Sequence, residues 1–183
     1  MRRTIAPAVA LFAGSSIVGC ASEPALARPD CGTEELSTLT LMAQSVRTAA
    51  LVPCLRGIPP GWSFDKLEVR QNRSEVFLGS DRAGDHALRV TLARTCNTSG
   101  AVRVPSDEPQ TERYENVLRI SPAYVATRAY VFDGGCVTYR FELDTDRPSI
   151  LVNEATLMVG FSTRTELRDA IRRESHGQIK DGP

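Results

Sequence analysis

The chain has 183 residues, with 22 basic and 22 acidic side chains, two histidines and five cysteines. That length suits one globular domain. Charge balance of this kind excludes a dedicated nucleic-acid binder, which concentrates positive charge on one face. After the first twenty residues no apolar run approaches the ~20 residues that a membrane-spanning helix needs.

The chain begins with Arg2 and Arg3, then an uncharged and mostly apolar run from Ile5 to Val18. A positive start and an apolar stretch too short to span a bilayer have the form of a secretory signal. The run closes on Ile17-Val18-Gly19-Cys20, and polar residues follow at once. This segment resembles the lipobox of bacterial lipoproteins, a resemblance confined to residues 1–20. It implies cleavage before Cys20, a diacylglyceryl thioether on Cys20, and acylation of the new amino group, palmitate being one such acyl chain. Each buried methylene contributes ~0.8 kcal/mol, so two chains or more hold a protein at a membrane stably. The resemblance therefore implies an exported protein on the extracytoplasmic face of a bacterial cell membrane, in contact with that membrane through the lipid on Cys20. An ordinary cleaved signal would instead leave Cys20 as an unpaired thiol.

Residues 1–19 thus form the signal, residues 20–32 a tether, residues 33–175 the folded domain and residues 176–183 a disordered tail. The tether includes Pro24 and Pro29 and little that can pack. At ~3 Å per residue its length from Ala21 to Asp30 is ~30 Å at most.

Thr33 is placed to cap a helix over 34–52, with Glu34 and Glu35 in its first turn as the macrodipole prefers. Leu36, Leu39, Met42, Ala43, Val46, Ala49 and Ala50 recur at helical spacing, and Pro53 ends the pattern. Ile58-Pro59-Pro60-Gly61 breaks the chain. A strand follows from Trp62 to Val69, with a change of parity at Asp65-Lys66 that predicts a bulge. Gln71-Asn72-Arg73 reads as a turn, and Glu75 to Gly79 as the returning strand. After the connection from Ser80 to Asp85, Leu88, Val90 and Leu92 alternate with Arg89 and Thr91, the pattern of a sheet with one wet face. That strand ends at Cys96.

Ala101–Val104 is a short strand, Pro105–Gln110 an exposed loop, and Tyr114–Ile120 another strand. Ala126–Phe132 and Cys136–Leu143 flank Asp133-Gly134-Gly135, a hairpin signal with a three-residue loop. Ile150–Val159 leans towards helix. Thr163 with Glu166 forms a capping box for a last helix, Thr163 to Glu174, with Gly177 beyond it.

The expected fold is α+β: one antiparallel sheet of five to seven strands, its apolar face covered by the N-terminal and C-terminal helices. The alternative is a β-sandwich with peripheral helices. An exported chain meets an oxidising compartment, so the four remaining cysteines read as two disulfides. Of three connectivities, Cys31–Cys54 and Cys96–Cys136 are preferred, because the first joins the two flanks of the N-terminal helix and the second ties the end of one strand to the start of another. The cysteines lack the paired spacing of a zinc site, and no metal or cofactor is expected.

Signals for chemistry are weak. His86 follows Asp85, with Asp81 nearby; these are the candidates for a general base beside carboxylates, set against a plain polar turn. No Gly-x-Ser-x-Gly elbow occurs. Arg89, Arg94, Arg103, Arg128 and Arg140 sit on strands, and an arginine-rich face would attract an anionic glycan or a lipid headgroup. Trp62 and Phe64 fit either an exposed aromatic platform or core anchors. The expected function is a non-catalytic binding or interaction domain, tethered at the cell envelope, with an envelope protein or glycan as partner and no nucleic acid. The alternative is an envelope hydrolase whose site is assembled from residues distant in sequence.

Overall fold

In a computed structural model of the protein, residues 26–32 and 36–175 are described. The signal, Cys20, the first part of the tether, the expected cap at Thr33 with Glu34 and Glu35, His176, Gly177 and the tail lie outside the described residues. Among the described residues, no helix is long and apolar enough to cross a membrane.

The element order is α1 (Leu36–Ser45), β1 (Leu51–Leu55), β2 (Trp62–Arg70), β3 (Arg73–Ser80), β4 (Gly84–Ala93), β5 (Val102–Val104), β6 (Glu112–Arg119), β7 (Tyr124–Phe132), β8 (Gly135–Leu143), α2 (Pro148–Met158), β9 (Val159–Thr163) and α3 (Arg164–Glu174). Seven strands form one antiparallel sheet in the order β2-β3-β4-β8-β7-β6-β5, and β1 and β9 form a separate two-stranded ribbon. The class is α+β, with helices near both ends of the chain, not a β-sandwich.

Alternation decides which face is covered. Leu88, Val90 and Leu92 on β4 lie opposite Phe141, Tyr139 and Val137 on β8, and all six are buried. Burying them from both strands makes a continuous apolar face that must be roofed. The roof comprises α1, packed against β2 and β3, and β1, packed across β4 and β8. Leu36, Leu39, Met42, Ala43, Val46 and Ala49 from the N-terminal stripe all enter this core.

Two expectations about the roof need correction. The N-terminal helix stops at Ser45 rather than continuing to 52, and Leu51–Leu55 is a strand, buried throughout. Pro53 is accommodated there because the ribbon has only two strands, so a residue without an N–H costs β1 no ladder bond on its unpaired side. The C-terminal helix packs on α1 and β9, outside the ribbon, rather than directly on the sheet.

The early end of α1 has a visible cause. The Asn72 amide donates to the Ser45 carbonyl at 2.8 Å, capping one orphan acceptor. Arg164 at the start of α3 donates to the carbonyls of Ala43, Val46 and Ala49. Burial and the nearby Arg168 charge press the Arg164 guanidinium below its usual value. Arg164→Met removes all three bonds. It should lower stability by about 2–3 kcal/mol, read by urea unfolding; a change below about 0.5 kcal/mol would mean that the carbonyls are satisfied without it.

Turn chemistry follows the sequence closely. The β2 bulge falls between Phe64 and Lys66. The β7–β8 loop has two residues, Asp133 and Gly134, because Gly135 already pairs with Phe132. Gly134 has φ 70°, and a Cβ there would lie 1.8 Å from the Thr48 carbonyl oxygen. The hairpin tip therefore meets the residues that follow α1 backbone to backbone, an approach only glycine allows. Thr163 caps α3 and Glu166 returns the bond, so the capping box is present.

Cys31 is bonded to Cys54 and Cys96 to Cys136. The first bridge belongs to a docked segment: Leu26 packs against the core, and the Cys31 amide donates to the Leu55 carbonyl at 2.9 Å. Leu26 and Cys31, within the span read as a tether, thus rest on the domain.

Candidate functional site

The sheet divides the strand arginines. Arg89 and Arg140 face each other on the uncovered side. Acids are interleaved with them: Arg140 pairs with Glu142 at 2.6 Å and Arg73 with Glu75 at 2.7 Å. Lys66 and Arg89 both lie over the Phe77 ring, at 4.6 and 5.1 Å from its centroid. This is a wet face on which acids are interleaved with the cations. Arg103 pairs with Glu112 on the edge, at 2.8 Å.

Arg128 goes the other way. It stands opposite Tyr139 and Glu115, on the covered side, and its side chain is only 11% exposed. Glu115 accepts from its Nε at 2.7 Å, and the Thr156 hydroxyl of α2 accepts from Nη1. Arg113 donates to Asp107, and the Tyr130 hydroxyl donates to the same carboxylate oxygen at 3.0 Å. Glu108 accepts from Arg56 at 2.9 Å. The loop read as exposed is therefore pinned at two acids. A pocket of about 420 Å³ lies between this cluster and α2, with Tyr124 and Asn153 in its walls. Its lining holds Arg113, Arg128 and Asp107, and both guanidiniums are already paired with Asp107 or Glu115.

Burial works to raise the Asp107 carboxyl, but hydrogen bonds from Arg113, the local backbone and Tyr130 hold it below its usual 3.8. Burial and Asp107 push the Tyr130 hydroxyl up to about 12 against the opposing Arg128 charge, and burial raises Tyr139 too. Glu154 is held down by Arg82, then by the Trp62 indole. Glu166 is held down by its cap bonds. The sign of the pH dependence follows. Lowered carboxyls contribute stability above their ordinary values of 3.8–4.5, and the contribution is lost as the pH falls through the lowered ones. Raised tyrosines contribute below their ordinary value of 10.0, and that is lost as the pH climbs past it. The urea midpoint should be level from about pH 5 to 9 and fall on both sides; a maximum at about pH 4 would contradict this.

The histidine candidates are placed differently from expectation. His86 meets a carboxylate, but that of Asp65 on the β2 bulge, whose Oδ2 lies 2.8 Å from Nδ1. Asp65 also accepts from the His86 amide at 3.3 Å, and its other oxygen accepts from Ser63 at 3.1 Å. The serine thus bonds the acid and not the imidazole. The His86 side chain is 49% exposed, near the start of β4, with φ 53°. Asp81 lies 3.5 Å from Arg82, and Asp85 is exposed at the start of β4. The structure does not join Asp81, Asp85 and His86 into one hydrogen-bonded group. Among the described residues no group of His, Cys, Asp and Glu could hold a metal ion. Trp62 is buried, with Nε1 donating to Glu154 at 2.7 Å, so it anchors the core.

The arrangement with most to offer a ligand lies at the rim where α1 ends. A cleft of about 560 Å³ is lined by Arg47, Arg70 and Arg94, with Gln44, Gln71 and Asn72. A second, of about 840 Å³, shares Thr48, Asn72 and Arg94 with it and runs past Thr95 and Cys96 to Tyr114. Among the described residues no acidic residue lines either cleft. Arg70 is paired with Glu68 at 3.0 Å, whereas Arg47 and Arg94 make no hydrogen bond or ion pair among the described residues. The walls are fixed: Thr48 Oγ1 donates to the Gly134 carbonyl at 2.6 Å, and the Cys96–Cys136 bridge lies along the second cleft. Of these arginines the strand reading singled out only Arg94.

Comparison of the chain with protein-family models, with curated proteins and with solved structures finds no match.

Proposed function

We propose that the protein is an exported lipoprotein, anchored through Cys20, whose domain is a non-catalytic binding module for an envelope component. The observation that carries the binding role is the rim cleft. Among the described residues, three arginines and no carboxylate line it, and two of those arginine side chains are unpaired. Unpaired cations around a concave, fixed surface attract an anionic partner and raise its local concentration. The anchor reading rests on Ile17-Val18-Gly19-Cys20 at the close of an apolar run.

A second reading, an envelope hydrolase, is favoured by the Asp65–His86 contact at 2.8 Å, since an acid on Nδ1 is how a general base is oriented. It lacks a nucleophile on the other imidazole nitrogen: Ser63 is engaged with Asp65.

The anchor is tested by the mass of the mature N-terminus and by detergent partition. Wild type should begin at a lipid-bearing Cys20 and partition with detergent, and Cys20→Ser should carry no lipid. An unmodified N-terminus at Ala21, or release of wild type into the medium, would overturn it.

A further inference from the structure

We infer that the rim cleft is a subsite for an anionic polysaccharide, gripped through Arg47, Arg70 and Arg94; this deepens the binding reading above and rests on it. The length of the site points to a chain rather than a single small ion. The two clefts share Thr48, Asn72 and Arg94, so one ligand can run from the three arginines to Tyr114 without leaving the surface.

The lining separates a glycan from other anions. Gln44, Gln71 and Asn72 offer amide donors and acceptors, and Thr48, Thr95 and Thr98 offer hydroxyls. Groups that both donate and accept suit sugar hydroxyls, while planar guanidiniums suit carboxylates and acidic sugar substituents. Tyr114 adds an aromatic wall, its hydroxyl held by Glu112 at 2.8 Å. A protein partner would call for a desolvated apolar or aromatic anchor at the centre. Here, among the described residues, Leu41 is the one large aliphatic in the lining that is exposed, and it stands among arginines and amides; the exposed group Val117, Leu118 and Ile120 lies towards the opposite end of β6 from the residues pairing beside the cleft.

A lipid headgroup is disfavoured by position. The cleft adjoins the Asp133–Gly134 turn, where the Ala50 amide bonds the Asp133 carbonyl before β1 begins. The docked end of the tether lies beside Leu55, at the other end of β1. About 15 Å of strand separates the two.

The test uses the full-length protein in a non-ionic detergent and three probes: polygalacturonate, neutral dextran and glycerol phosphate. Polygalacturonate should bind, more weakly as salt rises, and dextran should not. Arg47→Gln and Arg94→Gln should each weaken binding about tenfold, the scale of one charge-assisted hydrogen bond. Both residues are exposed and unpaired among the described residues, so both variants should keep the wild-type unfolding midpoint. Arg89→Gln with Arg140→Gln, on the outer face away from both clefts, should change affinity less than twofold. Equal binding of dextran, or cleft variants that bind like wild type, would overturn the inference. Binding of glycerol phosphate without polygalacturonate would assign the cleft to a phosphate headgroup instead. If the protein captures an envelope protein and no polyanion, the ligand class falls while the binding module stands; if it retains nothing, both fall.

Discussion

Replacing Cys96 and Cys136 together by alanine should lower the unfolding free energy by about 4 kcal/mol, and replacing Cys31 with Cys54 by about 3. In the chain-entropy model the cost follows the loop each bridge closes, and the partners are 40 and 23 residues apart. The ordering of the two losses is therefore part of the expectation. The longer bridge has a local consequence as well. It holds the segment after β4 against the start of β8, along the second cleft. Its loss should weaken polyanion binding, whereas loss of Cys31–Cys54, on the far side of the ribbon, should leave binding intact while the domain stays folded. Urea unfolding with and without reductant reads the stabilities. Losses under about 1 kcal/mol for both pairs would show that the core alone sets stability.

The second large effect belongs to the covered face of the sheet. Leu92 is fully buried between its partners Ser74 on β3 and Val137 on β8. Leu92→Ala should cost about 3 kcal/mol, the sum of lost transfer energy and the cavity left behind. Val117→Ala, on β6 at 51% exposure, should stay within about 0.5 kcal/mol. The contrast tests the roof of the sheet. If Leu92→Ala cost less than about 1 kcal/mol, α1 and the ribbon would not be packed on that face as described.

The sheet was legible because its signal is local. Alternation through Leu88–Leu92 and Val137–Phe141 sets faces without reference to the rest of the chain, and the bulge at Asp65 is written as a change of parity. Thr163 with Glu166 announces a helix start through three residues alone. The ribbon was not legible. Ala49, Ala50 and Val52 continue a helical stripe, and what ends the helix is remote: the Asn72 amide and the Arg164 guanidinium take the carbonyls that a longer helix would have used. Tertiary context overrides local pattern in such a case.

The cleft was hidden for the same reason. Arg47 follows a helix, Arg70 ends a strand before a turn, and Arg94 follows another strand. Each is an ordinary surface residue by itself, and only the return of β3 beside α1 collects them. Arg128 shows the converse. Its strand alternation places it on the covered face, but Glu115 and Thr156, which compensate its burial, are 13 and 28 residues away. The histidine's partner was not legible: Asp81 and Asp85 are the acids nearby in sequence, but Asp65, at the bulge in β2, is the one beside the imidazole.

Affinity capture from bacterial envelopes tests the central claim most directly. The bait is the full-length anchored protein, compared with Cys20→Ser and with a variant carrying both Arg47→Gln and Arg94→Gln. The account predicts that wild type and Cys20→Ser retain the same envelope component, that the double arginine variant loses it, and that none of the three turns over ester, peptide or glycan substrates. If no form retains a partner, while the purified protein hydrolyses such a substrate and His86→Ala abolishes that activity, the domain is an enzyme built around Asp65 and His86 and the binding account is wrong.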